Sequence, residues 1–489
     1  MSRGHVTVLM VVSIVTLLAC PAYAVAGQAA ATGPEAPETR WFVRDWTRAE
    51  LWNFFEPPPA GGDNEYAYLA NRLQAGVRRR APRYELTAAL QYVQFGGLPA
   101  HASGPGPLGL GAVYFAHAGR RDSHQVYLRY LNVQLKNIAP GLSIQTGRMA
   151  YSSGGEAASG VPKIEAVKRQ RVDARIVGEF DWSIYQRGFD GVRIDFVKPA
   201  WSANAIAFHP TQGGFEDAAG LMMRDVDVLG ASATLKPGRV IPGTEWQVFA
   251  LRYVDDRRVS ARPDNSGRSA DRADVTINSF GTTLAAASAP REGRQWDGLA
   301  WVVAQTGAWY EQAHRALSID VEGGHQWSDS PWRPWIRAGF LRASGDDDPA
   351  DDRHGTFFQM LPTVRRYSQT ATYSQMNHTD LFAQAILRPA SPLGLRLDLH
   401  RIGLASSRDH WYFGSGATQA RGTTFGFSTR PSNGRTDLAT STEVSADYTV
   451  SRHWSINAFV GLMRGGQVVR RSFQGSTLSF GYLENVIQF

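Results

Sequence analysis

The chain has 489 residues, 43% of them hydrophobic, a formal charge of +7 and one cysteine, Cys20. One cysteine excludes an internal disulfide framework, and a mean hydropathy of -0.29 excludes a bundle of membrane helices while fitting either soluble domains or a barrel wall. The basic excess is mostly arginine, since Lys136, Lys163, Lys168, Lys198 and Lys236 are the only lysines; fixed guanidinium groups suit recognition of carboxylate or phosphate.

Arg3 precedes an apolar run from Val6 to Ala19, and small residues then offer cleavage after Ala24 or Ala26. This is the layout of a secretory leader over 1–26, with Leu17-Leu-Ala-Cys20 as the competing lipidation site. Export argues against nucleic acid as a partner. Residues 27–65 read as an N-terminal periplasmic extension or a short plug-like segment, with the aromatic and charged Trp41–Glu56 ended by Pro57-Pro-Pro59.

From Tyr66 to Phe489 the period is mostly two. Leu86, Ala88, Leu90 and Tyr92 alternate with Glu85, Thr87, Ala89 and Gln91. Val192, Ile194 and Phe196 alternate with Arg193 and Asp195; Val226 and Val228 with Asp225 and Asp227; Leu317, Ile319 and Val321 with Ser318, Asp320 and Glu322. Leu393, Leu395, Leu397 and Leu399 against Gly394, Arg396, Asp398 and His400 is the clearest case, and Ile456, Ala458, Val460 and Leu462 form one face near the end. Such segments suit tilted strands of about 9–11 residues crossing a bilayer.

Short turns (137–141, 236–238, 388–392, 450–453) contrast with long polar loops (96–109, 152–171, 255–293, 345–375). Short turns on one rim and long loops on the other is the arrangement of an outer-membrane barrel. The expected fold is therefore all-β: a transmembrane antiparallel β-barrel over 66–489 in the bacterial outer membrane, with long extracellular loops, short periplasmic turns and sixteen to eighteen strands. The final strand, ending in Phe489, is expected to face lipid at the periplasmic rim, to pair with the strand near Tyr66–Arg78, and to engage the barrel assembly machinery.

No nucleophile elbow, phosphate loop, paired-cysteine site or HExxH is present, and no Ser or Asp singles out any of the scattered histidines, so the reading is not an enzyme. The run Asp346, Asp347, Asp348, Asp351 and Asp352 offers hard oxygen ligands for Ca²⁺, weighed against a solvated loop. No other cofactor is indicated. Arg193, Arg252 and Arg396 lie opposite apolar neighbours. They are expected in the lumen, because a lipid-facing arginine costs roughly 2–4 kcal/mol at mid-membrane. Asp195, Asp320 and Asp398 share that parity with Asp225, Asp227 and Glu322. Two readings stay open for these charges: a wall of compensating salt bridges, or a selectivity belt for an anionic solute.

Two stretches give a family resemblance. The first runs through Gln145-Thr-Gly-Arg148, Arg175-Ile-Val-Gly178, Asp181-Trp182 and Arg187-Gly-Phe-Asp-Gly-Val-Arg193. The second is Ala343-Ser-Gly-Asp-Asp-Asp-Pro349 with Gly355-Thr-Phe-Phe358 and Leu361-Pro362. With them the chain resembles the alginate-export family of outer-membrane barrels. The resemblance implies 18 strands and passive conduction of an anionic uronate polysaccharide through an arginine-rich pore. It implies Arg148 as a pore-facing arginine, with Asp181, Arg187, Asp190 and Arg193 as its ionic partners, and periplasmic export partners for the protein. The basic insert 152–171 departs from the family pattern and points away from alginate itself, towards anionic or polar solutes more broadly. A second function class stands beside this one: a non-conducting structural or adhesive barrel, plugged by 41–59 or by 152–171.

Overall fold

The structure is a computed structural model that describes residues 36–59, 61–102, 107–238, 240–259, 261–269, 274–420 and 425–489. The leader, its cleavage sites and Cys20 lie outside the described residues. Eighteen strands form the wall. They are β1 (Glu38–Asn53), β2 (Glu65–Arg80), β3 (Tyr84–Gly96), β4 (Ser123–Ala139), β5 (Leu142–Met149), β6 (Phe189–Val197), β7 (Trp201–Pro210), β8 (Val226–Leu235) and β9 (Thr244–Asp255). The second half comprises β10 (Val275–Ala287), β11 (Arg294–Trp309), β12 (Gln312–Trp327), β13 (Trp335–Ala343), β14 (His378–Ala390), β15 (Leu393–Gly403), β16 (Asp437–Ser451), β17 (Trp454–Gly465) and β18 (Thr477–Gln488).

Each strand pairs antiparallel with the next, and β1 pairs with β18 from Arg44↔Gln488 to Asn53↔Ser479, which closes the barrel and leaves no edge. The seam corrects two expectations. The segment Trp41–Glu56 is largely β1 and is no plug, and Tyr66–Arg78 lies one strand further round, in β2. The alternation in β1 is real but masked. Inward Trp46, Arg48, Glu50 and Trp52 mix aromatic with charged side chains, so neither parity looks apolar in sequence.

Both chain ends and the short turns share one rim; loops 97–122, 150–188, 344–377 and 404–436 leave from the other. The outward face is aliphatic, with Leu90, Leu131, Phe280, Val321, Leu381 and Leu483 all more than half exposed. Trp41, Trp296, Trp454 and Phe489 stand outward near the short-turn rim, as an interfacial girdle requires. Phe489 is tied into the seam by its backbone, N–H to Val43 O at 2.9 Å, and its ring stacks on His453 at 5.0 Å.

On β7 to β10 the expected sense of the alternation reverses near the loop rim. Val226 and Val228 point inward and are fully buried, together with Phe208, Tyr253 and Ile277. Asp227 points outward, where it meets His209 at 3.1 Å. The cause is that this part of the lumen holds protein rather than water. Phe357, Phe358 and Met360, from the loop after β13, pack there and need an apolar wall. Elsewhere a bulge at Ala89/Leu90 makes Arg129 an extra residue in β4, so Arg129 and Tyr130 both reach Glu179 of an inward loop.

If β1 is the closing strand, deleting Glu38–Asn53 abolishes the compact, heat-modifiable form on refolding into detergent. A truncated chain that still shows the electrophoretic shift contradicts the seam.

Candidate functional site

Two loops fold into the lumen and join. Loop 150–188 carries the helix α1 (Pro162–Arg171), which starts with Pro at its first position, has Glu165 in its first turn, and ends on Lys168, Arg169 and Arg171 in accord with the helix dipole. Loop 344–377 runs beside it. Leu361 N–H donates to Ile176 O at 2.9 Å, Gly178 N–H to Leu361 O at 2.8 Å and Thr363 N–H to Ala174 O at 2.9 Å. These bonds make one plug from two segments far apart in sequence.

The plug is fixed to the wall by buried charges. Glu322 of β12 takes Arg171 at 2.7 Å and Arg337 at 3.0 Å, and Arg175 bonds the neighbouring Asp320. Lys168 reaches Glu245 of β9 at 2.7 Å. Glu443 of β16 accepts from Ser368 Oγ (2.8 Å), Thr370 Oγ1 (2.6 Å) and Gln369 N–H (2.7 Å) of the second loop. Aromatic stacking adds a further clamp: Trp182 of the plug lies between Arg48 (4.0 Å) and Arg365 (4.6 Å), and Arg48 and Arg72 both cover Trp46.

Below the plug, towards the short-turn rim, a vestibule of about 820 Å³ stays open. Its lining includes Arg44, Arg72, Arg169, Arg365, Arg366, Arg388 and Arg396 against Glu179, Asp181, Asp447 and Glu484. Trp46, Trp182, Tyr130, Tyr448 and Tyr482 add aromatic surface. Burial raises Glu179 above the usual carboxylate range, against the lowering by Arg129. Among the described residues one guanidinium nitrogen of Arg396 has no hydrogen-bond partner, while its Nε meets Asp398 at 2.5 Å.

The residues expected from sequence fall into three groups. Arg396 and Asp181 line the vestibule. Arg193 with Asp195 (2.8 Å), Asp320 and Asp398 face inward but are engaged in ion pairs or buried beneath the plug. Arg187 is buried in the plug loop, donates to Ser415 O at 2.5 Å, and is lowered by desolvation to about 9. The third group is a correction. Arg148 and Asp190 share register with the exposed Leu131, on the outward parity, and bond each other at 2.6 Å. They brace the wall where the chain leaves β5 for the interior, and neither lines the vestibule. Arg252 is also outward and exposed, bonded to Asn278 at 3.2 Å. Its apolar neighbours Leu251 and Tyr253 are the ones that point in, beneath the plug.

Sequence reasoning missed Arg365, Arg366, Arg388, Arg44, Arg72 and Arg169. Arg365-Arg366 within a long loop was a visible cue, but not its inward course. The acidic run does not converge. Asp351 caps Arg353 N–H at 2.8 Å, Asp352 meets Arg268 at 3.3 Å, and the Asp346 N–H is taken by Asp409 at 2.9 Å. The group among the described residues that could converge on a cation is Asp398, His400 and Glu443, all buried. Its members already serve Arg396, Asp380 and the plug loop.

A family model described as alginate export matches residues 113–479. No curated protein matches the chain significantly. Among solved structures, the fold is similar to a BenF-like porin from Pseudomonas fluorescens Pf-5 (TM-score 0.58, 9% identity, 92% of this chain and 98% of that one). It is similar to Pseudomonas aeruginosa OccK2 (OpdF) in complex with glucuronate (0.56, 7%, 92% and 98%) and to Acinetobacter baumannii OccAB4 (0.55, 7%, 92% and 98%). The chain shares its β-barrel fold with these proteins.

Two outcomes follow from the plug. Glu322→Gln leaves Arg171 and Arg337 short of a buried counter-charge, at a cost of about 3–5 kcal/mol, and should raise single-channel conductance in planar bilayers; unchanged conductance contradicts the latch. Lys163, against Trp335 at 4.0 Å, is lowered by desolvation to about 8. Docking this lysine therefore releases a proton between about 8 and its unfolded value of 10.5, and α1 is held more tightly as pH rises through that window. Protection factors for amide exchange over Pro162–Arg171, after correction for the intrinsic rise of exchange with pH, should increase accordingly, and Lys163→Met should flatten the dependence.

Proposed function

This chain belongs to the alginate export family, and from that premise we propose that it is a channel whose vestibule selects anionic solutes, carboxylated saccharides among them, for passive conduction across the outer membrane. The observation that carries this reading is the arginine excess of the vestibule, seven guanidinium groups against four carboxylates. In a cleft with low-dielectric walls such an excess concentrates anions and raises their capture rate. Arginine forks fit carboxylates in two-point geometry, and flat Trp and Tyr faces suit the apolar face of a sugar ring. Glucuronate bound to OccK2, a protein of the same fold, is consistent with this chemistry. The same surface would bind without reacting, and conduction involves no chemical step.

The plug supports a second reading, a barrel that does not conduct. Glu322, Glu245 and Glu443 hold both inward loops by buried bonds, which favours a plug that stays in place. Conductance through the intact protein favours the channel, and its complete absence favours the sealed barrel. Lipid around the wall, the assembly machinery at β18 and periplasmic export partners complete the proposed setting.

Reversal potentials under a KCl gradient test the selectivity. Arg365→Gln/Arg388→Gln/Arg396→Gln should lower the chloride-to-potassium permeability ratio by roughly threefold or more, whereas Arg148→Ala and Arg252→Ala leave it unchanged. An unaltered ratio in the triple variant overturns the assignment.

A further inference from the structure

Near the long-loop rim the outward face changes from aliphatic to basic. Arg401 of β15 pairs in register with Thr440 of β16, and Thr440 with Arg464 of β17. All three are exposed. On the same faces, towards the other rim, lie Leu397, Leu399, Val444, Val460 and Leu462, each 39–54% exposed. The arginines thus stand where the aliphatic band stops. Trp454 and Arg464 are outward residues ten positions apart on β17; at about 3.3 Å per residue and a tilt near 40°, that is about 25 Å along the barrel axis, the height of the apolar band. Arg464 therefore lies at the outer interface when Trp454 lies at the periplasmic one.

Among the described residues these charges have no ion-pair partner. Inside the wall, Arg48, Arg129, Arg171, Arg193 and Arg337 each meet a carboxylate. Arg401, Arg464 and the adjoining exposed Arg470 and Arg471 make no ion pair and no side-chain hydrogen bond among the described residues, and the nearby Asp437 makes no ion pair with any of them. Unpaired arginines facing lipid are retained cheaply only at the interface, and there the available counter-charge is the headgroup.

We infer that the Arg401–Thr440–Arg464 face binds the phosphate groups of a phosphorylated glycolipid in the outer leaflet. One strand lies between the two arginines, two inter-strand spacings or about 10 Å between backbones, so each guanidinium takes one phosphate by a forked, charge-assisted bond. The Thr440 hydroxyl lies between them as a further donor. This site is on the outside of the wall and is independent of the vestibule.

The test uses the full mature protein in neutral detergent, with native mass spectrometry as the readout and purified bisphosphorylated lipid A or its dephosphorylated form as the probe. The expected result is binding of the phosphorylated form about tenfold tighter. That preference is lost in Arg401→Gln/Arg464→Gln and retained in Arg79→Gln at the opposite rim. The heat-induced electrophoretic shift verifies folding, and each single Gln variant should lose part of the preference if the pair does not fold. Equal binding of the two probes by the unaltered protein, or an undiminished preference in the folded variants, overturns the proposal.

Discussion

The interior of this barrel is organised around buried arginine–carboxylate pairs, with Glu322 at their centre. A carboxylate with no exposed side-chain surface, touching Arg171 of the plug and Arg337 of the wall, cannot rely on water for its stability. Such pairs add little net stability over apolar packing, but removing one member strands the other charge in a dry site. The energetic asymmetry explains why the inward loops adopt one position. A displaced loop would leave Asp320 without Arg175, Glu245 without Lys168, Glu322 with Arg337 alone, and Glu443 without its hydroxyl and backbone donors.

Filling the lumen in this way has two consequences. Opposite the plug, the wall must be apolar, which reverses the parity at Val226 and Val228 and turns Arg252 and Asp227 outward. Below the plug a vestibule stays open, lined both by wall arginines such as Arg388 and Arg396 and by Arg365 and Arg366 of the inward loop. The vestibule and the plug are therefore one construction, with Trp182 and Arg365 belonging to both.

Much of the fold was legible in the sequence. Period-two segments such as Leu393–His400 and the contrast of short turns with long loops pointed to an outer-membrane barrel of sixteen to eighteen strands, and the alginate-export stretches implied 18. β1 was not legible, because Arg48 and Glu50 share a face with Trp46 and Trp52 and the residue pattern looks like a polar segment. The interior charges were half legible. Parity correctly placed Arg193, Asp195, Asp320, Arg396 and Asp398 inward, because their alternate neighbours are aliphatic and face lipid. It failed at Arg252, near the loop rim, where being inward no longer means being wet, and the family resemblance failed in the same zone at Arg148. Loop residues such as Arg365 carry no periodic signal, and only the path of the chain brings them to the vestibule.

The central claim, that the vestibule favours anionic saccharides over neutral ones, is tested most directly by liposome swelling with two sugars of matched size. Proteoliposomes containing the full mature protein should swell faster in sodium galacturonate than in galactose at equal osmolarity, after correction for the sodium counter-ion with sodium gluconate-free controls of protein-free liposomes. Equal rates, or faster entry of galactose, would contradict the account.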